Sequence, residues 1–195
     1  MKKRLESILS ILFGAIFGLL VIVITVETIV RKVFNVSLQG ADELGGYALA
    51  VGSTLAFSLA VFGRNHIRVD VLHERYPPRL QAWMNWFAAL SIAVFAIFLC
   101  FVTINVLLDS ISYSSTAQTP WATPLIYPQA VWYAGLVIFA GVSLAWALRA
   151  TYLLFTGQII TINEEFPPKS AKEELKEELD DLAQRSNISE ITSKT

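Results

Sequence analysis

A chain of 195 residues that is 54% apolar and only 16% charged is too hydrophobic for one soluble domain and fits a small membrane protein with several spans. The formal net charge of −1 leaves no basic surface for a nucleic-acid partner. One cysteine, Cys100 in an apolar run, excludes a disulfide framework and a thiolate metal site.

The first predicted element is a transmembrane helix over about residues 8–30, preceded by three basic residues. At 1.5 Å per residue such a helix is about 34 Å long, enough to cross a bilayer. It is longer than the hydrophobic part of a secretory signal and no small-residue cleavage pattern follows it, so we interpret it as an uncleaved anchor. Gly14 and Gly18 form a small-residue stripe that predicts packing against another helix of the same bundle.

Glu27 lies near the far end of this helix, and Arg31 follows one turn later. Side chains at this spacing share one helix face, so we predict an ion pair at the membrane interface. A carboxylate inside a span is also a functional candidate, because intramembrane charges often mark ion pathways. The alternative interpretation is therefore a self-sufficient small exporter that uses Glu27 as its coupling carboxylate.

A second span is predicted over about residues 45–62, after a short segment that could lie in the interface. Asp42 is expected to cap this helix and Glu43 to lie in its first turn, where carboxylates favour the helix dipole. Its Ser and Thr side chains are expected to bond back to their own helix rather than line a path. Small residues recur at every fourth position and predict a packing face, formed by Ala48, Gly52, Ala56 and Ala60.

The sequence over residues 63–80 is the densest charged run between apolar segments. A central Arg or Asp in hydrocarbon costs roughly 2.5 to 3.5 kcal/mol, so we predict an aqueous or headgroup-level hairpin that separates two pairs of spans. Both histidines, His66 and His73, lie in this run. No histidine pair can therefore hold a haem between the spans, and we predict no cofactor and no metal site.

The third and fourth spans are predicted over about residues 83–108 and 129–154, with a compact, turn-rich loop between them. Arg149 is close enough to the end of the fourth span to reach the interface. We therefore predict a four-helix membrane domain over residues 1–160 and a charged tail over residues 161–195 that is partly helical or disordered.

Basic residues are distributed unequally between the two predicted sides of the membrane. Among residues 1–155, Arg31 and Lys32 lie on one side, and eight basic residues lie on the side of the termini and the hairpin, which predicts that both termini are cytoplasmic. The eight are Lys2, Lys3, Arg4, Arg64, Arg68, Arg75, Arg79 and Arg149.

The deep parts of all four spans contain no Asp, Glu, Lys, Arg or His, which argues against a pump that works alone. No phosphate loop or nucleophile motif is present either, so we do not expect an enzyme. An accessory subunit remains, and a structural anchor for an unrelated membrane complex is a further alternative.

Several features together resemble the DctQ-like small membrane subunit of tripartite ATP-independent periplasmic (TRAP) transporters, over about residues 1–155. They are the four-span layout, the acidic ADELGGY entry to the second helix, the GRNHIRVDVL string after it and the proline and aromatic loop before the fourth span. The family's H-x-x-V-D pattern falls on His66, Val69 and Asp70, with Arg68 between them. Its acidic position at the start of the second helix falls on Glu43, beside Asp42.

The resemblance implies a small permease subunit in the bacterial inner membrane that acts as a scaffold rather than an enzyme. Its implied partners are membrane lipids, a large multi-span permease subunit and a periplasmic solute-binding protein, in sodium-coupled uptake of a small carboxylate-bearing solute. The residues expected to form a polar lock or to contact the partner are Asp42, Glu43, Arg64, His66, Arg68 and Asp70.

Overall fold

The computed structural model describes residues 2–37, 39–63 and 76–166, together with positions 175, 179, 182 and 183. Residues 64–75 of the hairpin predicted over 63–80, and most of the tail, lie outside the described residues; the hairpin's last residues, 78–80, begin a spanning helix instead. Within them the chain is helical, and the first four helices are long and apolar enough to cross a membrane, which confirms the all-α membrane fold. The helices are α1 (Lys2–Phe34), α2 (Ala41–Gly63), α3 (Pro78–Ser112), α4 (Ile126–Phe155) and α5 (Ile159–Glu165).

Each spanning helix extends beyond its predicted apolar core, and the ends are set by local backbone chemistry. α1 ends before Asn35, whose φ of 52° is a left-handed conformation that asparagine tolerates better than most residues. α3 begins at Pro78, because proline at the first helical position loses no helical hydrogen bond.

The start of α2 corrects the prediction that Asp42 caps this helix. The Leu44 N–H donates to the Gly40 carbonyl at 3.2 Å, so the helix already begins at Ala41. Asp42 and Glu43 both lie in its first turn. Gly40 is suited to the preceding position because the Trp121 ring lies where a Cβ would stand.

The four spans of the predicted membrane domain pack as an open row. α1 packs on α2, α2 packs on α4, and α4 packs on α3. α1 is the least buried of the four, because α2 is its main neighbour. Most of its apolar surface therefore faces outward, where lipid or another chain can cover it.

Small residues bring α2 close to its two neighbours. A Cβ at Gly52 would overlap the Phe17 ring of α1, and one at Gly135 of α4 would overlap the Thr54 side chain. The predicted packing of Gly14 and Gly18 within the chain is wrong, because no other described part of the chain lies within 4 Å of a Cβ built on either residue. The other predicted small residues of α2, Ala48, Ala56 and Ala60, are half-buried.

The short helix α5 packs across the ends of α3 and α4 and extends across the predicted domain boundary at residue 160. Ile162 and Phe166 are buried against these helices, and the Phe166 ring lies 5.1 Å from the Trp146 ring. The Arg149 guanidinium donates to both carboxylate oxygens of Glu165, each at 2.6 Å. This end of the row, called the α5 end below, therefore has its own packed core.

The opposite end, called the loop end below, carries the connection between α1 and α2 and the loop over residues 113–125. Backbone hydrogen bonds fold that loop on itself, including Ala117 N–H to Thr123 at 2.9 Å and Leu125 N–H to Ser115 at 3.0 Å. Trp121 of the loop packs on Gly40. The compact, turn-rich loop predicted from the sequence is confirmed, and it touches the other connection.

Candidate functional site

The main polar site of the described chain lies at the loop end, where α1 finishes. The Arg31 guanidinium donates to Glu27 Oε1 through Nη2 at 2.6 Å and through Nε at 3.0 Å. The Ser37 hydroxyl donates to the same oxygen at 2.8 Å. The ion pair predicted from the i, i+4 spacing is therefore confirmed, and a serine beyond the helix end completes it.

The two partners of this ion pair differ sharply in exposure. The Glu27 side chain is 6% exposed, whereas that of Arg31 is 60% exposed. A buried carboxylate is strongly disfavoured unless it is paired and hydrogen-bonded. Arg31 and Ser37 supply those bonds, so the arrangement stabilises a charge near the end of a span.

Beside the ion pair, a cleft of about 740 Å³ opens between the end of α1 and the start of α2. Lys32 and Asp42 both line it and are exposed. Among the described residues neither of them forms an ion pair or a side-chain hydrogen bond. The lining residues are Ile24, Glu27, Thr28, Arg31, Lys32, Asn35, Ala41, Asp42, Gly45 and Gly46.

The two acidic residues predicted at the start of α2 have different environments. Asp42 is exposed in the cleft, whereas Glu43 is 8% exposed. The Tyr47 hydroxyl donates to Glu43 Oε2 at 3.1 Å. Glu43 Oε1 is buried without a hydrogen-bond partner in the described part of the chain. The sequence pattern identified both residues but could not distinguish their surroundings.

A second polar group, at the α5 end, was not predicted from the sequence. Asn85 is fully buried in α3 and donates to the Asn163 side chain of α5 at 3.2 Å. Asn163 in turn donates to the Pro78 carbonyl at 2.9 Å. In the sequence, the only sign of these hydrogen bonds is the amide side chain of Asn85 inside an apolar span. That residue alone does not identify Asn163 as its partner.

The polar residues predicted after the second helix, Arg64, His66, Arg68 and Asp70, lie outside the described residues. The flanking residues Gly63 and Tyr76 end α2 and precede α3. Those two helix ends adjoin the α5 end.

Over the described residues, no group of three His, Cys, Asp or Glu side chains could hold a metal ion. The hydroxyls of α2 donate to their own helix, as predicted: Ser53 to Ala50, Thr54 to Val51 and Ser58 to Thr54. They therefore supply no open polar path through this span.

Comparison with protein families gives one informative match. The family model described as "Tripartite ATP-independent periplasmic transporters, DctQ component" matches residues 20–155, which is more than half of the chain. Searches of curated proteins and of solved structures give no match. The matched range begins within α1 and ends at the last residue of α4, so it includes both the cleft and residues 64–75.

Proposed function

Because the chain belongs to the DctQ component family of tripartite ATP-independent periplasmic transporters, we propose that it is the scaffold half of a sodium-coupled uptake permease. As a member it is the small membrane subunit of such a transporter, a multi-pass protein of the inner membrane. We further propose that it binds a large permease subunit, which carries the solute and sodium. A periplasmic solute-binding protein delivers a small carboxylate-bearing solute to the complex.

The observation that carries the scaffold role is the chemistry of the spans. Between their ends the four helices contain no Asp, Glu, Lys, Arg or His. Glu27 is held at a helix end by Arg31 and Ser37. A charged solute or ion crossing these helices would meet no countercharge to offset its dehydration, so transport requires another chain.

The open row supplies surface for such a partner. α1 is barely covered by the rest of the chain, and Gly14 and Gly18 face open space on it. Small residues allow close approach of helix backbones in lipid, where packing rather than hydrophobicity drives association. We propose that this face of α1 and the motif of Arg64, His66, Arg68 and Asp70 contact the large subunit.

The test is reconstitution into liposomes under an inward sodium gradient. The chain alone should move no solute, and uptake should appear only when the large subunit and the binding protein are added. Glu27→Gln should leave that uptake close to the unmodified level, because the carboxylate is structural. Gradient-driven transport by the chain alone, abolished by Glu27→Gln, would contradict the scaffold role and identify a small exporter.

A further inference from the structure

The cleft at the loop end has polar and apolar parts at different depths. Arg31, Lys32 and Asp42 line it close to the helix ends, and Ile24 lines it seven residues before Arg31, about 10 Å deeper along the helix. Gly45 and Gly46 line it on the α2 side, about one turn deeper than Asp42. The cleft therefore suits a ligand with a charged head and an apolar body, rather than a small soluble ion.

The cleft is lined by side chains of both charge signs that can still bind a ligand. Lys32 carries three donors and Asp42 carries a carboxylate, and neither is engaged in an ion pair within the described chain. Arg31 uses Nε and Nη2 for Glu27, and 60% of its side chain is exposed. A ligand with both a phosphate and an ammonium group matches this lining, because the two basic side chains complement the phosphate and Asp42 complements the ammonium.

The floor of the cleft leaves room for more than a headgroup. No other described atom lies within 4 Å of a Cβ built on Gly45 or Gly46, so the backbone of α2 is uncovered at this depth. The cleft lies between two spanning helices, one of which is the least buried of the four. An acyl chain can therefore enter from the surrounding bilayer without a helix having to move.

From these observations we propose that the cleft between α1 and α2 binds phosphatidylethanolamine. Lys32 and Arg31 bind the phosphate, Asp42 accepts hydrogen bonds from the primary ammonium, and the glycerol and upper acyl chain lie over Gly45 and Gly46. This inference needs only the membrane-embedded fold, so its failure leaves the transporter assignment unchanged.

Filling the cleft gives the most direct test. Gly46→Leu adds a side chain where the described chain has no atoms, and it replaces glycine with a better helix former, so the fold should be retained. Gly141→Leu is the matched control, because Gly141 of α4 also has open space around it but does not line the cleft. Each full-length protein is purified in mild detergent, titrated with phosphatidylethanolamine and examined by native mass spectrometry.

The unmodified chain and Gly141→Leu should retain one tightly bound lipid, and Gly46→Leu should lose it. Lys32→Gln should weaken binding about fivefold, because the phosphate of this zwitterionic headgroup loses one of its two basic partners. Phosphatidylcholine, whose ammonium has no N–H, should bind more weakly than phosphatidylethanolamine. Asp42→Asn should reduce this preference, because the carboxylate that accepts the N–H bonds of the primary ammonium is replaced by a neutral amide.

Three further results would overturn the proposal. Equal retention of lipid by Gly46→Leu and Gly141→Leu would mean that lipid is held elsewhere. Binding of glycerophosphoethanolamine or inorganic phosphate as tightly as the whole lipid would identify a soluble anion site instead. A Gly46→Leu chain that fails to copurify with the large subunit, when the unmodified chain binds no lipid, would assign the cleft to a protein contact.

Discussion

At the scale of single residues, the ion pair of Glu27 and Arg31 shows how a charge is kept at the end of a span. The carboxylate is buried and accepts bonds from Arg31 and Ser37, while the guanidinium remains largely exposed. Removing either member of this pair should lower the free energy of unfolding, but by different amounts. A buried carboxylate without a cation is more destabilising than an exposed guanidinium without an anion.

Arg31→Gln should therefore destabilise the protein by roughly 1–3 kcal/mol, because it leaves the buried Glu27 carboxylate without its cation. Glu27→Gln should destabilise the protein less than Arg31→Gln does. The neutral amide can still bond to Ser37, and the Arg31 guanidinium can be solvated by water. Thermal unfolding in detergent, followed by circular dichroism, measures the order of the two effects. The variant that carries both changes is the control, and it should be more stable than Arg31→Gln alone. If its loss of stability equals the sum of the losses from the two single changes, the argument is contradicted.

The same residues show what local sequence can and cannot predict. The four-residue spacing of Glu27 and Arg31 was sufficient, because a helix fixes that geometry. Ser37 could not be predicted, because its position depends on a turn in which Asn35 and Gln39 have positive φ. Gly18 and Gly52 occupy similar small-residue stripes, but only Gly52 meets a neighbour. Small residues at four-residue spacing predict that another helix packs closely, but they do not identify that helix.

At the scale of elements, α5 is the largest departure from the sequence prediction. Its seven residues are too few for a helix that is stable alone, so helical periodicity gave no strong signal. Burial of Ile162 and Phe166 against α3 and α4 stabilises it, together with the Asn163 and Glu165 side-chain bonds. The spanning helices, in contrast, were predictable because about twenty apolar residues are needed to cross a bilayer.

Ile162→Ala tests whether α5 is part of the packed domain. Ile162 is 0% exposed, and removing a buried isoleucine side chain should lower the free energy of unfolding by about 2–4 kcal/mol. Ile160→Ala, the same change two residues earlier, should have an effect within about 0.5 kcal/mol, because Ile160 is 76% exposed and makes few contacts to lose. Denaturant unfolding in mixed micelles compares the two, and equal effects would show that α5 does not contribute to the core.

At the scale of the whole molecule, the row of helices separates two polar ends. The loop end carries the cleft, Glu43 and the Trp121 contact, and the α5 end carries the Asn85 and Arg149 bonds. α1 and α3 are the edges of the row, since α2 and α4 lie between them. A row with two open edges contacts a larger partner or lipid over more area than a closed bundle does, which fits the scaffold role.

The spans begin and end at the two ends of the row of helices. The distribution of basic residues between these ends predicts which one faces the cytoplasm. Among residues 1–155 the predicted cytoplasmic side has eight basic residues and the other side has Arg31 and Lys32, and flanking basic residues are retained on the cytoplasmic side. The α5 end should therefore be cytoplasmic, together with both termini and His66. Asn35 and Thr119, at the loop end, should face the periplasm.

Single cysteines in a Cys100→Ala background test this orientation with a thiol reagent that cannot cross the membrane. Gln118 is a better site than Thr119, because Gln118 is exposed whereas the Thr119 hydroxyl is buried. Gln118→Cys should be labelled in intact spheroplasts, and Gln158→Cys, exposed beside α5, should be labelled only after the membrane is opened. The reverse pattern would invert the topology and place the proposed lipid cleft in the cytoplasmic leaflet, because Lys32 and Asp42 lie at the same end as Gln118.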